Sequence, residues 1–262
     1  MAAYYPVSLD LRGRSCVVVG GGAIAEGKVD GLLAACARVT VVAPALSAVL
    51  AAHREAGRLV WVARAYRPGD LAGAWLAIAA TDEPAVNDAV WRDAEGAGVL
   101  AQVVDDPPRC HFILPSIVAR GDLTVAVSTS GSAPVLAVRL RERIAAMIGE
   151  EHERFLALAR RVRAPLARLT PDFGTRKRAW YGLVDSDVLE RLRAGDEAGA
   201  RARFVEWLGV EPPADDETPP RDACGFVCPA GRPCVPGCTG AGARGPGSVR
   251  ARTGAAAPTP HE

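Results

Sequence analysis

The chain has 262 residues, of which 49% are hydrophobic, and a formal net charge of +1. This length suits one large domain or two smaller ones, and the near-neutral charge excludes a general electrostatic attraction to nucleic acid or anionic membranes. The first residues lack the charged-then-apolar order of a signal peptide, and no apolar run reaches the roughly 18 residues that cross a bilayer. We therefore expect a cytoplasmic protein with no nucleic-acid or membrane partner.

Apolar runs rich in β-branched residues alternate with helical segments over the first hundred residues. Strands are predicted at 15–19, 39–42, 59–63, 75–79 and 100–104. Helices are predicted at 23–35, 47–56 and 83–97, the second with Ser47 as its N-cap. Continuous apolar strands that alternate with helices are typical of a parallel sheet with right-handed crossovers. The predicted fold class is therefore α/β, with a Rossmann-type parallel sheet.

The pattern changes after Pro107 and Pro108. Strands are predicted at 112–118 and 123–129, joined by the turn Arg120-Gly121-Asp122, and helices at 135–148, 151–168 and within 176–208. From Glu211 onward the composition is dominated by Pro, Gly, Ala, Thr and Arg, which predicts disorder because little apolar surface can be buried. The predicted units are a Rossmann domain (1–112), a hairpin region (113–150), a helical domain (151–210) and a disordered tail (211–262).

The first strand leads directly into a glycine-rich turn. Its sequence, Gly20-Gly21-Gly22-Ala23-Ile24-Ala25, fits the pattern G-x-G-x-x-A. In such a turn glycines permit a tight bend and let the backbone approach a diphosphate, which lies at the N-terminus of the following helix. The alternative is a plain strand-to-helix turn. Its place in the first strand–helix unit favours dinucleotide binding, with the contacts made by Gly20, Gly21, Gly22, Ala23 and Ile24.

Residues at two other strand ends are candidates for contacts with the rest of the dinucleotide. Pro44 and Ala45 follow the second strand, where an acidic residue would normally hold the ribose 2′-hydroxyl. Neither an acid nor an arginine for a 2′-phosphate stands there, so the residues favour NAD over NADP only faintly. Thr81 and Asp82 follow the fourth strand, although a cap for the helix at 83–97 explains Asp82 equally well.

Ordered motifs cover most of the first 150 residues. They are PVSLDLRGR (6–14), VVGGGAIAEGK (18–28), VVAP (41–44), LAIAATD (76–82), VVDDP (103–107), FILPS (112–116) and LTVAVSTSGSAP (123–134). With these motifs the chain resembles the precorrin-2 dehydrogenase/sirohydrochlorin ferrochelatase family, which forms the N-terminal half of sirohaem synthases. A weaker resemblance continues to about residue 208.

The resemblance implies a homodimer built from a Rossmann domain, a dimerisation and substrate region with a short hairpin, and a helical domain. It implies NAD-dependent oxidation of precorrin-2, a tetrapyrrole with many carboxylates, to sirohydrochlorin. It leaves open a second activity, the insertion of Fe²⁺ into sirohydrochlorin. The methyltransferase domain that follows this unit in the long sirohaem synthases is not expected in this sequence.

Oxidation of precorrin-2 requires a general base near the nicotinamide, in the crevice beyond the carboxyl ends of the strands. Asp105 directly follows the fifth strand and matches the position of the family's catalytic aspartate, so the resemblance implies this role for Asp105. Without the resemblance, a loop-initiating aspartate would be the better interpretation. The neighbouring Asp106 is expected to cap the turn or to face solvent.

Hydroxyl and backbone N–H groups cluster in the segment Ser128-Thr129-Ser130-Gly131-Ser132, before the helix predicted to begin near Pro134. The segment is a candidate cradle for substrate carboxylates, with Ser132 also expected to act in part as a helix N-cap. Arg109 and Arg120 are predicted on loops near the site, where they could pair with the same carboxylates.

Five other residues near the predicted site or core have less specific interpretations. Lys28 either reaches the diphosphate or covers the helix surface, and a hydrogen-bonded structural role is favoured for His111 over iron ligation. Cys16 and Cys36 are expected to be small buried hydrophobic residues. Cys110 lies close to the site without a partner suited to nucleophilic catalysis.

Four cysteines lie in the predicted tail with the spacing C-x3-C-x5-C-x3-C: Cys224, Cys228, Cys234 and Cys238. Four thiolates can hold a zinc ion or an iron–sulfur cluster, but this spacing matches neither the usual zinc pair nor the common ferredoxin run. An unstructured tail with reduced cysteines is slightly favoured over a metal site.

Two other functions account for parts of the pattern. An NAD-sensing regulatory module explains the glycine-rich turn but gives no reason for Asp105 or for the segment at 128–132. An NAD-dependent oxidoreductase that acts on another substrate is compatible with the fold, because function depends on the site rather than the fold. Formation of NADH in the presence of precorrin-2 separates these two functions from the dehydrogenase.

Overall fold

The computed structural model describes residues 4–213, so the four cysteines of the predicted tail, and the metal hypothesis about them, lie outside the described residues. One parallel sheet has the strand order β3-β2-β1-β4-β5. Its strands are β1 (Ser15–Val19), β2 (Arg38–Val42), β3 (Leu59–Val62), β4 (Leu76–Ala79) and β5 (Leu100–Val103). The helices are α1 (Ala23–Ala34), α2 (Ala48–Glu55) and α3 (Pro84–Ala97). The predicted α/β fold with a Rossmann-type sheet is confirmed.

The sheet is covered by apolar side chains on both faces because its strands are continuous apolar runs. On one face, Val18 and Ile78 pack with Val29 of α1 and Leu50 of α2. The opposite face packs against α3 in a second buried cluster. The predicted N-cap of α2 is confirmed, since the Ser47 hydroxyl accepts the Leu50 N–H at 3.3 Å. Burial on two sides leaves only the strand ends open to ligands.

A short antiparallel hairpin follows the sheet, formed by β6 (Ser116–Arg120) and β7 (Leu123–Val127). Strand β6 begins at Ser116 and not at the predicted residue 112. Phe112 packs against the core of the parallel sheet instead, and Pro115 has no N–H to donate to a neighbouring strand. Arg120 is the last residue of β6, paired with Leu123, and does not lie on a loop as predicted.

Five helices complete the described chain. They are α4 (Pro134–Met147), α5 (Glu150–Leu169), α6 (Phe173–Val184), α7 (Val188–Arg193) and α8 (Glu197–Leu208). The last four share a core that includes Leu158, Val162, Leu183 and Phe204. Helix α4 packs on the hairpin and buries only Ala137. Within residues 4–213 no helix is both long and apolar enough to cross a membrane.

Candidate active site

The glycine-rich turn after β1 is packed between two neighbouring strand ends. A Cβ on Gly20, whose φ is +122°, would collide with the carbonyl oxygen of Ala80, just beyond β4. A Cβ on Gly21 would collide with the carbonyl oxygen of Ala45, just beyond β2. The structure therefore brings the turn together with the two other segments predicted to bind the dinucleotide.

Gly22 faces open space instead of protein. It is the N-cap of α1 without a side-chain cap, and no described atom lies within 4 Å of the position that its Cβ would occupy. Ala23 and Ile24 follow it as exposed residues of the first helical turn. Unpaired N–H groups and the helix dipole favour an anion at such a terminus. The residues therefore fit a diphosphate, which needs backbone approach and no side chain in the way.

The strands β2, β1, β4 and β5 end at one level, which places the candidate residues along one end of the sheet. Ladder hydrogen bonds continue one residue past the strands, from Gly20 N to Val42 O at 3.0 Å and from Ala80 N to Val19 O at 2.8 Å. One residue past β5, Val104 N likewise donates to Ala79 O, at the end of β4, at 3.0 Å. The strand order reverses between β1 and β4, and ligands of open α/β sheets bind at this reversal.

The turn after β4 is ordered by Thr81 and Asn87. The Thr81 hydroxyl accepts the Glu83 N–H at 2.8 Å, and Asn87 Nδ2 donates to the Thr81 carbonyl at 2.9 Å. The N-cap of α3 is Glu83, so the alternative that Asp82 caps this helix is wrong; Asp82 is exposed. Asn87 has a positioning role that periodicity could not reveal, because it depends on where the chain turns.

Asp105 is exposed in the turn directly after β5, and its φ is +61°. Positive φ is uncommon for residues other than glycine, and within residues 4–213 only Cys36, Asp105 and Ser130 adopt it. Strained backbone of this kind clusters at functional sites. Two of these three residues belong to the site predicted from the sequence.

Arg109 connects the Asp105 loop to α3. It ends a single 3₁₀ turn, Pro107–Arg109, and its guanidinium lies 3.5 Å from Asp106 and 3.8 Å from Asp88 of α3. Asp106 occupies the N-cap position of this turn, as one of the two predicted alternatives has it, but makes no side-chain cap hydrogen bond; it is half-buried and pairs with Arg109. The side chain of Arg109 remains 37% exposed, which leaves donors for a substrate carboxylate.

The hydroxyl-rich segment before α4 forms a compact turn, with Ser130 and Gly131 at φ of +51° and +81°. The Ser128 hydroxyl accepts the Ser130 N–H at 3.1 Å, and the Thr129 hydroxyl accepts the Ala133 N–H at 3.2 Å. The expectation that Ser132 caps α4 is wrong: the N-cap is Ala133, whose N–H is held by Thr129. These hydrogen bonds stay within the segment and do not join it to Asp105.

The contacts of His111 confirm the structural role favoured for it. Its Nδ1 accepts the Ala101 N–H at 3.0 Å, its Nε2 lies 2.5 Å from Glu95 Oε1, and its ring stacks on Trp91 at 4.6 Å. Both ring nitrogens and one ring face are thus engaged by the protein. This residue anchors the base of the loop that carries Asp105.

The described cysteines differ in their environments. Cys16 is buried as predicted, and burial raises the pKa of its thiol to about 11. Cys36 is half-exposed at a φ of +59°, so the expectation that it is buried is wrong, because it ends the α1–β2 turn. Burial also raises the pKa of the Cys110 thiol, and the charge of Lys28 opposes this rise.

A parallel sheet that reverses at β1 and β4, with an open glycine turn at that point, defines a Rossmann-fold protein of the dinucleotide-binding class. Family models match three successive parts of the chain. Their descriptions are "Putative NAD(P)-binding" for residues 7–116, "Sirohaem biosynthesis protein central" for 120–147 and "Sirohaem synthase dimerisation region" for 151–208. The chain belongs to the precorrin-2 dehydrogenase/sirohydrochlorin ferrochelatase family, the unit present in sirohaem synthases.

Relatives and a solved structure agree with this assignment. The chain is 42% identical over 213 residues to siroheme synthase 1 of Aeromonas salmonicida and 45% identical over 212 residues to siroheme synthase of Azotobacter vinelandii. These alignments cover 79% and 80% of this chain but 46% of each relative, so the chain spans about half their length. The structure of "SirC, precorrin-2 dehydrogenase" matches 78% of this chain and all of its own, with a TM-score of 0.64 and 26% identity.

Proposed function

We propose that the chain oxidises precorrin-2 to sirohydrochlorin with NAD⁺, and that Asp105 is the general base. The observation that carries the proposal is the position of Asp105, exposed and strained at the carboxyl end of β5, beside the strand end that flanks the glycine turn. The choice of substrate is supported by the similarity to a structure named precorrin-2 dehydrogenase, which covers all of that structure and 78% of this chain.

The reaction removes two hydrogens from the tetrapyrrole, one as a hydride and one as a proton. When bound, NAD⁺ would supply the hydride acceptor. Gly22 and the first turn of α1 would hold its diphosphate, with Gly20 and Gly21 setting the shape of the turn. Pro44, Ala45, Thr81 and Asp82 would contact the rest of the dinucleotide. The Asp105 carboxylate accepts the proton and, being exposed, passes it to solvent.

A homodimer completes the substrate side of the site. The hydrogen bonds of Ser128–Ser132 stay within that segment of the chain, so we propose that it binds substrate carboxylates together with Arg109 and Arg120 across the dimer. The match to a dimerisation region supports association of two copies. Exposed apolar side chains on the hairpin and α4 supply a surface for it: Ile117, Val135, Leu136, Val138, Leu140 and Met147.

Insertion of Fe²⁺ into sirohydrochlorin is the second part of the proposal, with iron as a substrate. Residues 4–213 contain no group of three or more His, Cys, Asp or Glu side chains able to hold a metal ion. We assign to the exposed Asp105 carboxylate the guiding of iron and the acceptance of pyrrole protons. Sirohydrochlorin with Fe²⁺ should give the sirohaem absorbance spectrum with the wild type and not with Asp105→Ala.

We place this activity in the cytoplasm. The three cysteines within residues 4–213 are all free thiols, which is the usual state of cysteines in a reducing compartment. Fractionation of cells of the source organism, with detection of the untagged chain, should recover it with the cytoplasmic enzymes. Recovery with the membrane fraction would contradict this location.

The first experiment measures NADH formation with precorrin-2 for the wild type, Asp105→Ala and Asp106→Ala. Loss of a general base lowers rates by about 10²–10⁴, so we expect a loss of this size in Asp105→Ala and a mild effect in Asp106→Ala. NADH binding, followed by fluorescence, should be unchanged in both variants.

Two outcomes would contradict the proposal in different ways. A wild type that binds NADH but forms none with precorrin-2 would favour a regulatory module or another oxidoreductase. Equal losses of activity in the two aspartate variants would mean that the loop, and not the carboxylate of Asp105, supports the reaction.

A further inference from the structure

The thiol of Cys110 spans the turn that carries Asp105. Its Sγ lies 3.2 Å from the carbonyl oxygen of Val103 and 3.2 Å from that of Asp106. These two carbonyls flank Asp105 on either side in the sequence. A single side chain therefore connects the end of β5 to the far side of the strained residue.

The thiol can serve only as a donor to these carbonyls, so its protonation state matters. Burial is the largest influence on the Cys110 thiol and raises its pKa. The charge of Asp106 acts in the same direction as burial, and that of Lys28 against it. The group therefore stays protonated at neutral pH and keeps its hydrogen for a carbonyl acceptor.

The turn needs such a support because Asp105 holds a left-handed backbone conformation that is unfavourable for a residue with a Cβ. Two backbone bonds close the tip of the loop on itself, Asp106 N to Val103 O at 3.3 Å and Arg109 N to Asp106 O at 2.9 Å. The first of these is long. Its acceptor is one of the two carbonyls that the Cys110 thiol reaches.

The base of the loop is held independently of the thiol. His111 N donates to Ala101 O at 2.8 Å, and Ala101 N donates to His111 Nδ1 at 3.0 Å. Gln102 and Cys110 pair across the loop as an isolated antiparallel bridge. Loss of the thiol should therefore leave the loop attached to β5 and change only the conformation at its tip, where Asp105 lies.

We propose that Cys110 is a positioning residue for Asp105, whose thiol holds the left-handed turn and so aims the carboxylate at the substrate. This inference rests on the proposed function, since it assigns Cys110 a role in the same reaction. It predicts that Cys110 acts on the rate of precorrin-2 oxidation through Asp105 and leaves dinucleotide binding unchanged.

The test compares Cys110→Ala with Cys110→Ser in the precorrin-2 assay. A small misplacement of a catalytic group can lower rates up to about 10²-fold, so we expect kcat of Cys110→Ala to fall about 10-fold or more. The KM for NAD⁺ and the affinity for NADH should not change. Cys110→Ser retains an O–H donor and should recover a large part of kcat. If Cys110→Ala does not fold, Cys110→Val takes its place, because valine keeps a side chain of similar size without the hydrogen-bond donor.

A double-variant cycle separates positioning from general stability. In the Asp105→Ala background, Cys110→Ala should cause no further loss, because the group that it positions is already absent. Cys36→Ala removes a thiol away from this loop and serves as the control with wild-type activity. Equal losses in Cys110→Ser and Cys110→Ala, or additive losses with Asp105→Ala, would overturn the inference. If the wild type oxidises precorrin-2 and Cys110→Ala has the same kcat, the inference about Cys110 is overturned but the proposed function stands. If the wild type does not oxidise precorrin-2, the proposed function is overturned as well.

Discussion

The three consecutive glycines after β1 are required for different reasons. Gly20 needs a left-handed backbone at φ of +122° and close approach to Ala80, and Gly21 packs directly against Ala45. Gly22 has an extended backbone at φ of −91° and open space before it, so the protein itself would tolerate a larger residue there. The absence of a side chain therefore serves the fold at Gly20 and Gly21, whereas at Gly22 no packing contact of the described chain requires it.

This difference predicts opposite outcomes for two substitutions. Gly22→Val should keep the wild-type melting temperature but weaken NADH binding by more than about 100-fold, or about 2.7 kcal/mol, because its side chain fills the diphosphate space. Gly20→Ala should lower the melting temperature, because its Cβ collides with the Ala80 carbonyl. Calorimetry and NADH titration of both variants check this. Unchanged NADH affinity in Gly22→Val would contradict the assignment of the diphosphate site.

Selection of NAD over NADP involves a cation that the sequence did not single out. Val42 of β2 pairs with Val62 of β3; Pro44 and Arg64 each follow these paired residues by two positions. The Arg64 guanidinium donates two hydrogen bonds of 2.7 Å to Asp70. These bonds hold the pKa of the Asp70 carboxyl below its usual range and keep the pair charged. The charge of Arg64 is thus neutralised by Asp70.

The pair predicts the cofactor preference. The wild type should bind NADH more tightly than NADPH, and Asp70→Asn should improve NADPH binding about 10-fold by releasing Arg64 toward a 2′-phosphate, a gain of about 1.4 kcal/mol. Titration of both dinucleotides measures this, with Arg64→Leu/Asp70→Asn as the matched control that should show no gain. Similar affinities of the wild type for NADH and NADPH would contradict the preference for NAD.

At the scale of elements, α7 and α8 are joined by ion pairs centred on Asp187. Its carboxylate accepts from Arg203 Nε at 2.6 Å and from Arg191 Nε at 2.8 Å. The hydrogen bond from Arg203 is the main reason that the pKa of Asp187 lies below its usual range. A carboxyl whose pKa is lower in the folded state than in the unfolded state stabilises the fold above the unfolded pKa. This contribution is lost as the pH falls through the folded pKa.

The helical unit should therefore lose stability in acid. We expect the melting temperature to be nearly constant from pH 7 to 5 and to fall below about pH 4, where aspartates of unfolded chains become protonated. Asp187→Asn should melt lower than the wild type at pH 7 and lose less on acidification. Melting curves of the two proteins across this pH range test the effect. Parallel curves would show that Asp187 does not contribute to the acid response.

At the scale of the whole molecule, α4 leaves apolar surface uncovered. Val135, Leu136 and Met147 are 74%, 52% and 74% exposed, and a helix with so many exposed apolar side chains is typical of an interaction surface. The proposed homodimer would cover it. In the same chain the helical unit has its own buried core, so α4 is not needed to complete that core.

Light scattering should give a mass of twice 27.4 kDa for the wild type. Val135→Glu places a charge in the proposed interface without changing the fold of one chain, because Val135 contacts little protein. We expect a monomer that binds NADH normally and has lost most precorrin-2 oxidation. Val60→Glu, at an exposed position on β3, is the matched control that should remain a dimer. A Val135→Glu dimer would exclude α4 from the interface.

The order of strands and helices was readable from the sequence, and most bounds agree within one or two residues. Runs such as Ser15–Val19 determine buried parallel strands because every residue must avoid water on both faces. The largest departures occur where contacts outweigh the local pattern. Residues 112–115 read as strand but are not, because Phe112 packs on the sheet. The region 176–208 contains three helices, because chain reversals at Asp185–Asp187 and Gly195–Asp196 are needed to close its core.

The sequence by itself determined the fold class and the glycine turn. Through the family motifs it also marked Asp105 as the candidate general base. Each is a local property: hydrophobic periodicity, the steric freedom of glycine, or a motif of adjacent residues. Only the tertiary structure decided which of the three glycines faces open space, that the Cys110 thiol reaches two carbonyls of the Asp105 turn, and that Asp70 neutralises Arg64. These facts depend on distances between groups that local patterns do not encode, because side chains meet only after the chain has folded.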